Sequence, residues 1–194
     1  PCAPWSPLQE VFNLPKGGPT AARVLEMRKQ HRTLTRFVAE VVAFQVKRGK
    51  YYLIENPAAS AAWKLPEFKP MLEKGYCWTT DMCQYDLKDP ESGLWYRKNT
   101  RLCCNSEALM YELGDRCADG VPHQHQWIQG TTHKDGKSLH RSEFAGWYTK
   151  KFCTRLLRGF ESVFQWELPY RKEHIRYTYV DNSTSINHLP SEVN

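Results

Sequence analysis

A long helical pattern followed at once by a short strand constrains the fold of this chain more than any other feature. Between Thr20 and about Arg48, apolar residues recur every three or four positions, as in an amphipathic helix. The apolar face of this predicted helix comprises Leu34, Phe37, Val38, Val41 and Val42. Residues 51–54 then form a predicted strand, which Pro57 helps to end because proline cannot donate to a sheet ladder. A strand after a long helix predicts an α/β fold, with a mostly parallel sheet between two layers of helices.

Shorter patterns complete the predicted architecture. The predicted short helices and strands cover residues 60–64, 66–74, 75–80 and 95–104. Residues 115–141 show no period and read as one long loop, which is typical of a functional or metal-bound segment. Ser142 begins a last helix that Gly159 is expected to end. We therefore expect one domain over residues 1–159 and an aromatic extension over 160–194, with an edge strand at Ile175, Tyr177 and Tyr179.

Composition narrows the classes of function. The net charge of +6 favours an anionic partner, nucleic acid first, although a mildly basic protein without such a partner fits equally well. No run of about 18 apolar residues exists, so no membrane span is expected. No signal peptide pattern is visible at the N-terminus, which favours a nuclear or cytoplasmic location. The chain begins on Pro-Cys without Met, so it is processed, truncated or part of a longer protein.

Basic residues gather in several short clusters. They lie at residues 28–32, 47–50, 150–155 and 171–172. Neighbouring aromatic side chains could stack nucleic-acid bases beside them. More often such clusters form a solvated helix face. They indicate a nucleic-acid site only if they lie on the same side of the molecule as Cys2 and Arg101.

The seven cysteines have irregular spacing and no secretory context, so we expect reduced thiols or metal ligands and no disulfide framework. Cys83, Cys117, His123 and His125 form the candidate zinc site, since thiolate and imidazole are the ligands of structural zinc. The His-x-His spacing places both rings on one side of an extended segment. The alternative is a pair of exposed histidines beside two buried thiols. Other candidate ligands are Cys103 or Cys104 in place of Cys83, and then His133 and His140.

Three short motifs carry a second kind of chemistry. PCAPWS at residues 1–6 resembles the Pro-Cys loop of cytosine-5 DNA methyltransferases, IENP at 54–57 resembles their Glu-Asn motif, and YRKNTR at 96–101 their arginine motif. The resemblance assigns Cys2 as the nucleophile that attacks C6 of cytosine, and Glu55 as the acid near N3. Arg101 or Arg97 would hold the base carbonyl and a phosphate. A flipped base or a single-stranded substrate is implied.

A closer resemblance, to methyltransferase-like domains of eukaryotic retroelement-type polyproteins and uncharacterised proteins, covers residues 1 to about 159. The further matching residues are Trp63, residues 81–83, Gly93, Leu94, Arg97, Lys98, Thr100, Asn105, Ser106, Arg116, Cys117, His123 and His125. The resemblance implies a partial Rossmann-like sheet flanked by helices, with Asn56 and Pro57 on the side of the S-adenosylmethionine cofactor. It also implies that the cofactor lobe lies upstream or on a separate chain, and that residues 105–141 replace a target-recognition domain.

Two other functions remain open from the sequence. The chain could be an inactive lobe that binds nucleic acid or builds a larger assembly, with an exposed sheet edge that invites a partner chain. A cysteine hydrolase built on Cys2 is a weaker alternative, since no histidine near Cys2 in the sequence supplies a base.

Overall fold

The computed structural model describes residues 3–117 and 123–167, which form a mixed α/β fold as predicted. The α-helices are α1 (Gly18–Lys47), α2 (Lys69–Lys74), α3 (Glu107–Glu112), α4 (Arg141–Phe144) and α5 (Lys150–Ser162). The β-strands are β1 (Leu53–Pro57), β2 (Tyr76–Asp81), β3 (Trp95–Tyr96), β4 (Asn99–Cys104), β5 (His125–Gln126), β6 (Thr131–Lys134) and β7 (Lys137–His140). Short 3-10 helices cover Ala3–Trp5, Ala61–Lys64, Pro66–Phe68 and Met82–Tyr85, and π-helical turns cover Gln9–Asn13 and Val163–Glu167. Cys2 and the predicted strand at Ile175, Tyr177 and Tyr179 lie outside the described residues.

The main sheet has three strands in the order β1-β4-β2, and β4 runs antiparallel to both neighbours. The expectation of a mostly parallel sheet is therefore wrong for these strands. The connection from β2 to β4 contains no crossover helix, so the chain turns back along the strand it has just left. Because both outer strands oppose β4, β1 and β2 run in the same direction and end at the same edge of the sheet.

Both faces of this sheet are covered by helices and apolar side chains. One face packs against Trp63 and Met71, together with part of α1. On the opposite face, Leu102 of β4 lies in a cluster with Tyr85 and with Phe152 of α5. Burial of each such large side chain contributes roughly 1.5–3 kcal/mol, so the two layers supply most of the driving force for this fold. Among the described residues, no helix combines the length and the apolar character needed to cross a membrane.

The long helix α1 buries a narrower stripe than its sequence suggests. Val42 is buried and Val38 packs against the core, as the apolar pattern predicted. Leu34, Phe37 and Val41 are instead exposed, so the prediction is wrong for these three. Phe37 and Val41 each precede a residue of the buried stripe, and one position is a rotation of about 100° around the helix.

Gly159 does not end the last helix, because α5 continues to Ser162. A Cβ atom at this position would lie 2.8 Å from Leu109 Cδ2, and Leu109 is fully buried. The glycine therefore allows α5 to approach α3 closely, and the prediction of a helix end at Gly159 is wrong.

Part of the segment predicted as a long loop is a regular β-hairpin. Strands β6 and β7 pair antiparallel and are joined by Asp135 and Gly136. Both residues have positive φ angles, 51° and 74°, as a two-residue type I′ turn requires. The Asp-Gly dipeptide is a strong hairpin signal that the sequence already contains.

Cys77 and Cys103 are joined by a disulfide across β2 and β4. They are directly opposed in the register of the two strands, which places both Cβ atoms on one face of the sheet. The expectation that the cysteines are reduced thiols or metal ligands is therefore wrong for this pair. The cysteines outside this disulfide, among the described residues, are Cys83, Cys104, Cys117 and Cys153.

The buried carboxylate of Asp89 joins the turn after the Met82–Tyr85 helix to the start of α4. It accepts hydrogen bonds from the Tyr96 hydroxyl, the Ser92 backbone N–H at 2.9 Å and Arg141 Nε at 2.9 Å. Burial alone raises the pKa of Asp89, but these hydrogen bonds outweigh it and hold the pKa well below its usual range. Asp89 therefore stays ionised inside the protein, with its charge matched by Arg141.

We expect Asp89→Asn to lower the free energy of unfolding at pH 7 by about 3 kcal/mol, because it removes the charged partner of Arg141. Since the folded pKa of Asp89 is lowered, its stabilisation is complete above the unfolded pKa of about 3.9 and declines as the pH falls toward the folded value. Urea unfolding at pH 7 and pH 3 should therefore show a smaller gap between wild type and variant at pH 3. Asp86→Asn, at an exposed residue nearby, is the control and should change stability little. A gap that is equal at both pH values would contradict the assigned role.

Candidate metal centre and the edge of the sheet

Four cysteine and histidine side chains from separate segments converge beside the end of β2. Cys83 lies in the 3-10 helix that follows β2, and Cys117 lies in the segment after α3. His123 and His125 lie just before and within β5. The ligand atoms of all four residues lie within 4.8 Å of one another. The structure thus brings together the four ligands predicted from the sequence.

Two sulfur–nitrogen distances within this group are close to those around a tetrahedral metal ion. Zinc bonds of about 2.3 Å to sulfur and 2.1 Å to nitrogen imply a sulfur–nitrogen separation of about 3.6 Å. Cys117 Sγ lies 3.4 Å from His125 Nε2 and 3.9 Å from His123 Nε2, on either side of that value. Cys83 is buried and the other three residues are half-buried, so the group can enclose an ion and still be reached from solvent.

Asp81, the last residue of β2, positions the segment that carries Cys117. Its buried carboxylate accepts hydrogen bonds from the Cys117 backbone N–H at 2.8 Å and from Arg116 Nε at 3.1 Å. The other carboxylate oxygen accepts from the side chain of Asn99 on β4. Asp81 therefore joins two strands of the sheet to the segment that carries Cys117, only two residues before Cys83.

The two histidines are held from the other side by β3. Strand β5 pairs in parallel with β3, and Trp95 lies opposite His125 in the register. The Trp95 ring also packs against His123, with ring centroids 5.0 Å apart. The histidine rings themselves lie 4.5 Å apart, centroid to centroid. This packing holds both imidazoles on the side of the cysteines.

The surroundings of Cys83 and His125 favour the uncharged form of each side chain. Burial, with contributions from Cys117 and Asp81, raises the pKa of Cys83 to about 12. Burial and the neighbouring charges of His123 and Arg97 lower the pKa of His125. A neutral imidazole is ready to coordinate a cation, and a bound cation would release the thiol protons.

The alternative ligands named from the sequence do not belong to this group. Cys103 is held in the disulfide, and Cys104 Sγ donates to the backbone oxygen of Ser106 at 2.9 Å. His133 lies on β6, where its Nδ1 is 3.2 Å from a carboxylate oxygen of Glu91.

The predicted catalytic carboxylate, Glu55, lies at the end of β1. The Tyr148 hydroxyl donates to Glu55 Oε2 at 3.0 Å, and Lys98 Nζ lies 3.8 Å from Oε1. Oε1 is buried and has no hydrogen-bond donor among the described residues. Asn56 Oδ1 is likewise buried without a donor. Among the described residues, Glu55 Oε1 therefore has the ion pair with Lys98 but no hydrogen-bond donor, and Asn56 Oδ1 has no donor either, which is uncommon for buried acceptors.

The two predicted arginines lie apart from Glu55. Arg101 is opposite Asn56 in the register, so its side chain leaves the face of the sheet opposite to Glu55. Its guanidinium carbon lies 5.5 Å from the centroid of the Trp63 ring. Arg97 is exposed, and its charge acts on His125. The cation that the structure places beside Glu55 is Lys98.

Cys2 lies outside the described residues, but the residues that follow it are placed. The 3-10 helix Ala3–Trp5 packs against α1, and the Ser60 hydroxyl donates to the Trp5 backbone oxygen at 3.0 Å. Ser60 follows β1 by three residues, so the described part of the Pro-Cys loop is tied to the same edge of the sheet as Glu55.

Sequence reasoning assigned no role to Asp81, Lys98 or Tyr148. Asp81 and Lys98 belong to the motifs that match in the sequence, and their types alone could have suggested an ion pair or a support for a ligand. Tyr148 is 93 positions from Glu55, and no sequence signal links the two residues.

Comparisons with protein-family models, with curated proteins and with solved structures find no match to this chain. The metal group and the edge of the sheet are therefore interpreted from their own chemistry.

We expect the purified chain to carry about one zinc ion per molecule and Cys117→Ser to lose it, because serine does not supply a thiolate ligand. The matched control is Cys153→Ser, at an exposed cysteine on α5 outside the group. Elemental analysis of both variants measures the metal directly. Equal zinc content in the two variants would exclude Cys117 as a ligand.

Asp81→Asn should weaken zinc binding about 10-fold to 100-fold, since outer partners orient metal ligands. The amide would keep the shape of the carboxylate but lose its charge toward Arg116 and one of its acceptor oxygens. Competition with a chromophoric chelator measures the affinity, and Asp86→Asn is the exposed control. If Asp81→Asn binds zinc as tightly as Asp86→Asn does, the segment that carries Cys117 is positioned by other contacts.

Proposed function

We propose that this chain is a lobe of a cytosine-5 methyltransferase-like enzyme that acts on nucleic acid and needs an upstream or separate lobe to bind S-adenosylmethionine. The observation that carries the proposal is the pair of buried oxygens on Glu55 and Asn56 that lack a hydrogen-bond donor among the described residues. They lie where β1 ends, at the edge of the sheet to which Trp5 is joined through Ser60.

The two side chains point to opposite faces of β1, because successive residues of a strand alternate. They therefore serve two different partners. Glu55 Oε1 would accept a hydrogen bond from a cytosine ring, either from a protonated N3 or from the exocyclic amine. Asn56 Oδ1 would accept from the cofactor on the other face, together with Pro57 as the resemblance implies.

In the proposed reaction the Cys2 thiolate forms a bond to C6 of the target cytosine, and negative charge develops on the ring. Glu55 supplies or shares the proton at N3, so this charge is neutralised. Lys98, 3.8 Å from Glu55, offers the positive charge that the resemblance expects from an arginine. When bound, the cofactor supplies the methyl group for C5, and removal of the C5 proton then releases Cys2.

The metal centre has a structural role in this proposal. Two thiols and two imidazoles fill a tetrahedral site and leave no open position for catalysis. A bound zinc ion would fix the loop that carries Cys117 against the end of β2. That loop lies on the same edge of the sheet as Glu55, where a nucleic acid would enter.

The alternative is a lobe that binds nucleic acid or a partner chain without catalysis, in the nucleus or the cytoplasm. Strand β1 favours a partner, since in the described part of the chain it pairs with β4 alone. The net charge of +6 fits nucleic acid under both proposals.

Reversible attack at C6 predicts a reaction that needs no methyl donor. The Cys2–C6 bond saturates the ring, C5 takes up a deuteron from heavy water, and loss of the C5 proton with release of Cys2 leaves deuterium on the base. We expect this exchange in a cytosine-containing single-stranded oligonucleotide, followed by mass spectrometry. Glu55→Gln should slow it about 100-fold or more, and Cys2→Ser should abolish it.

Glu73→Gln is the matched control, since Glu73 is a largely exposed carboxylate on α2. Oligonucleotide binding without any exchange by the wild type would favour the non-catalytic alternative. Exchange that survives in Cys2→Ser would exclude Cys2 as the nucleophile.

A further inference from the structure

A basic cleft lies between the 3-10 helix Ala3–Trp5 and the N-terminal half of α1. Its volume is about 370 Å³. The cleft is lined by Trp5, Arg28, Lys29, Arg32, Thr33 and Arg36. No residue of the metal group and neither Glu55 nor Asn56 contributes to it.

The charges of the cleft do not cancel. Arg28 pairs with Glu10, while Arg32 and Arg36 share Glu67 at 2.7 and 3.4 Å. Four cationic side chains thus meet two carboxylates, and a net positive charge of two remains. Lys29 is exposed and has no ion pair among the described residues. An anion in the cleft would therefore meet a cation that is not already matched.

The aromatic wall of the cleft carries an unused hydrogen-bond donor. Trp5 is 6% exposed, and its indole Nε1 is buried without an acceptor in the described part of the chain. An indole N–H can only donate, so it lacks the acceptor that a buried donor normally has. A phosphate oxygen that displaced the side chains covering Nε1 would supply that acceptor.

Contacts of Arg28 join the two walls of the cleft, and the cleft is joined to the edge of the sheet. Arg28 Nε donates to the Pro4 backbone oxygen at 2.9 Å, and its guanidinium carbon lies 4.9 Å from the centroid of the Trp5 ring. The Ser60 hydroxyl holds the Trp5 backbone oxygen from the side of β1. A group bound here would lie next to the residues that follow the Pro-Cys loop.

We propose that this cleft binds a backbone phosphate of a nucleic-acid strand, with Lys29 and the Trp5 indole N–H as its contacts. The inference rests on the proposed function, which brings a nucleic acid to this edge of the sheet, and it adds the site that holds the strand. A phosphodiester matches both the excess positive charge and the free donor, and a positively charged groove beside an aromatic ring is how proteins hold single strands.

Fluorescence anisotropy with a labelled cytosine-containing single strand tests this site across a range of salt concentrations. Lys29→Gln should weaken binding about tenfold and lower the slope of log affinity against log salt by about 0.7, as expected for one lost phosphate contact on a single strand. Lys47→Gln is the matched control, an exposed lysine on the same helix about 27 Å away. Trp5→Phe keeps a ring but removes the donor, so it should weaken binding without changing the salt slope.

Equal affinities and salt slopes for Lys29→Gln and Lys47→Gln would overturn the inference, as would no measurable binding by the wild type. The deuterium exchange assay separates this result from the proposed function. If exchange at C5 is observed but Lys29→Gln does not change oligonucleotide binding, the methyltransferase proposal stands and the phosphate-binding role of the cleft is excluded. If oligonucleotide binding depends on Lys29 but no exchange occurs, the phosphate-binding role of the cleft is supported and the catalytic proposal is excluded.

Discussion

The hydrogen bonds to the Asp81 carboxylate connect the sheet of this protein to the segment that carries Cys117. This buried carboxylate accepts hydrogen bonds from the side chains of Asn99, on the central strand, and Arg116, and from the backbone N–H of Cys117. A buried carboxylate is costly unless it is well hydrogen-bonded, so the loss of any one of these contacts would leave the Asp81 charge less well compensated. The fold of the sheet and the geometry of the cysteines and histidines therefore depend on each other.

The reversed central strand determines what can gather at the edge of the sheet. Because β4 begins where β1 and β2 end, its first residues lie beside the last residues of both neighbours. Lys98 thus comes close to Glu55, and Asn99 to Asp81. A parallel strand in the same position would have placed these polar side chains at the far end. The antiparallel arrangement thereby concentrates ionisable groups on one side of a small domain.

The metal ligands could be predicted because thiols and imidazoles reveal their chemistry by type, and three of the four lie within nine residues of one another. The direction of β4 could not be predicted, since it depends on how a connection without regular periodicity folds back. The exposure of Phe37 shows a similar limit, because apolar spacing predicts a helix but leaves the rotation of the helix to tertiary packing. Asp135 and Gly136 mark the opposite case, a hairpin signal that was present and was overlooked.

Successive side chains of β1 lie on opposite faces of the sheet, so this single strand separates two different environments. Glu55 and Asn56 are neighbours in the chain, yet they face different surroundings because the pleat separates them. A one-residue insertion between α1 and β1 that shifted the register of the strand would move Glu55 and Asn56 each to the opposite face of the sheet. The identity of each of these side chains therefore matters only together with the face of the sheet on which it lies.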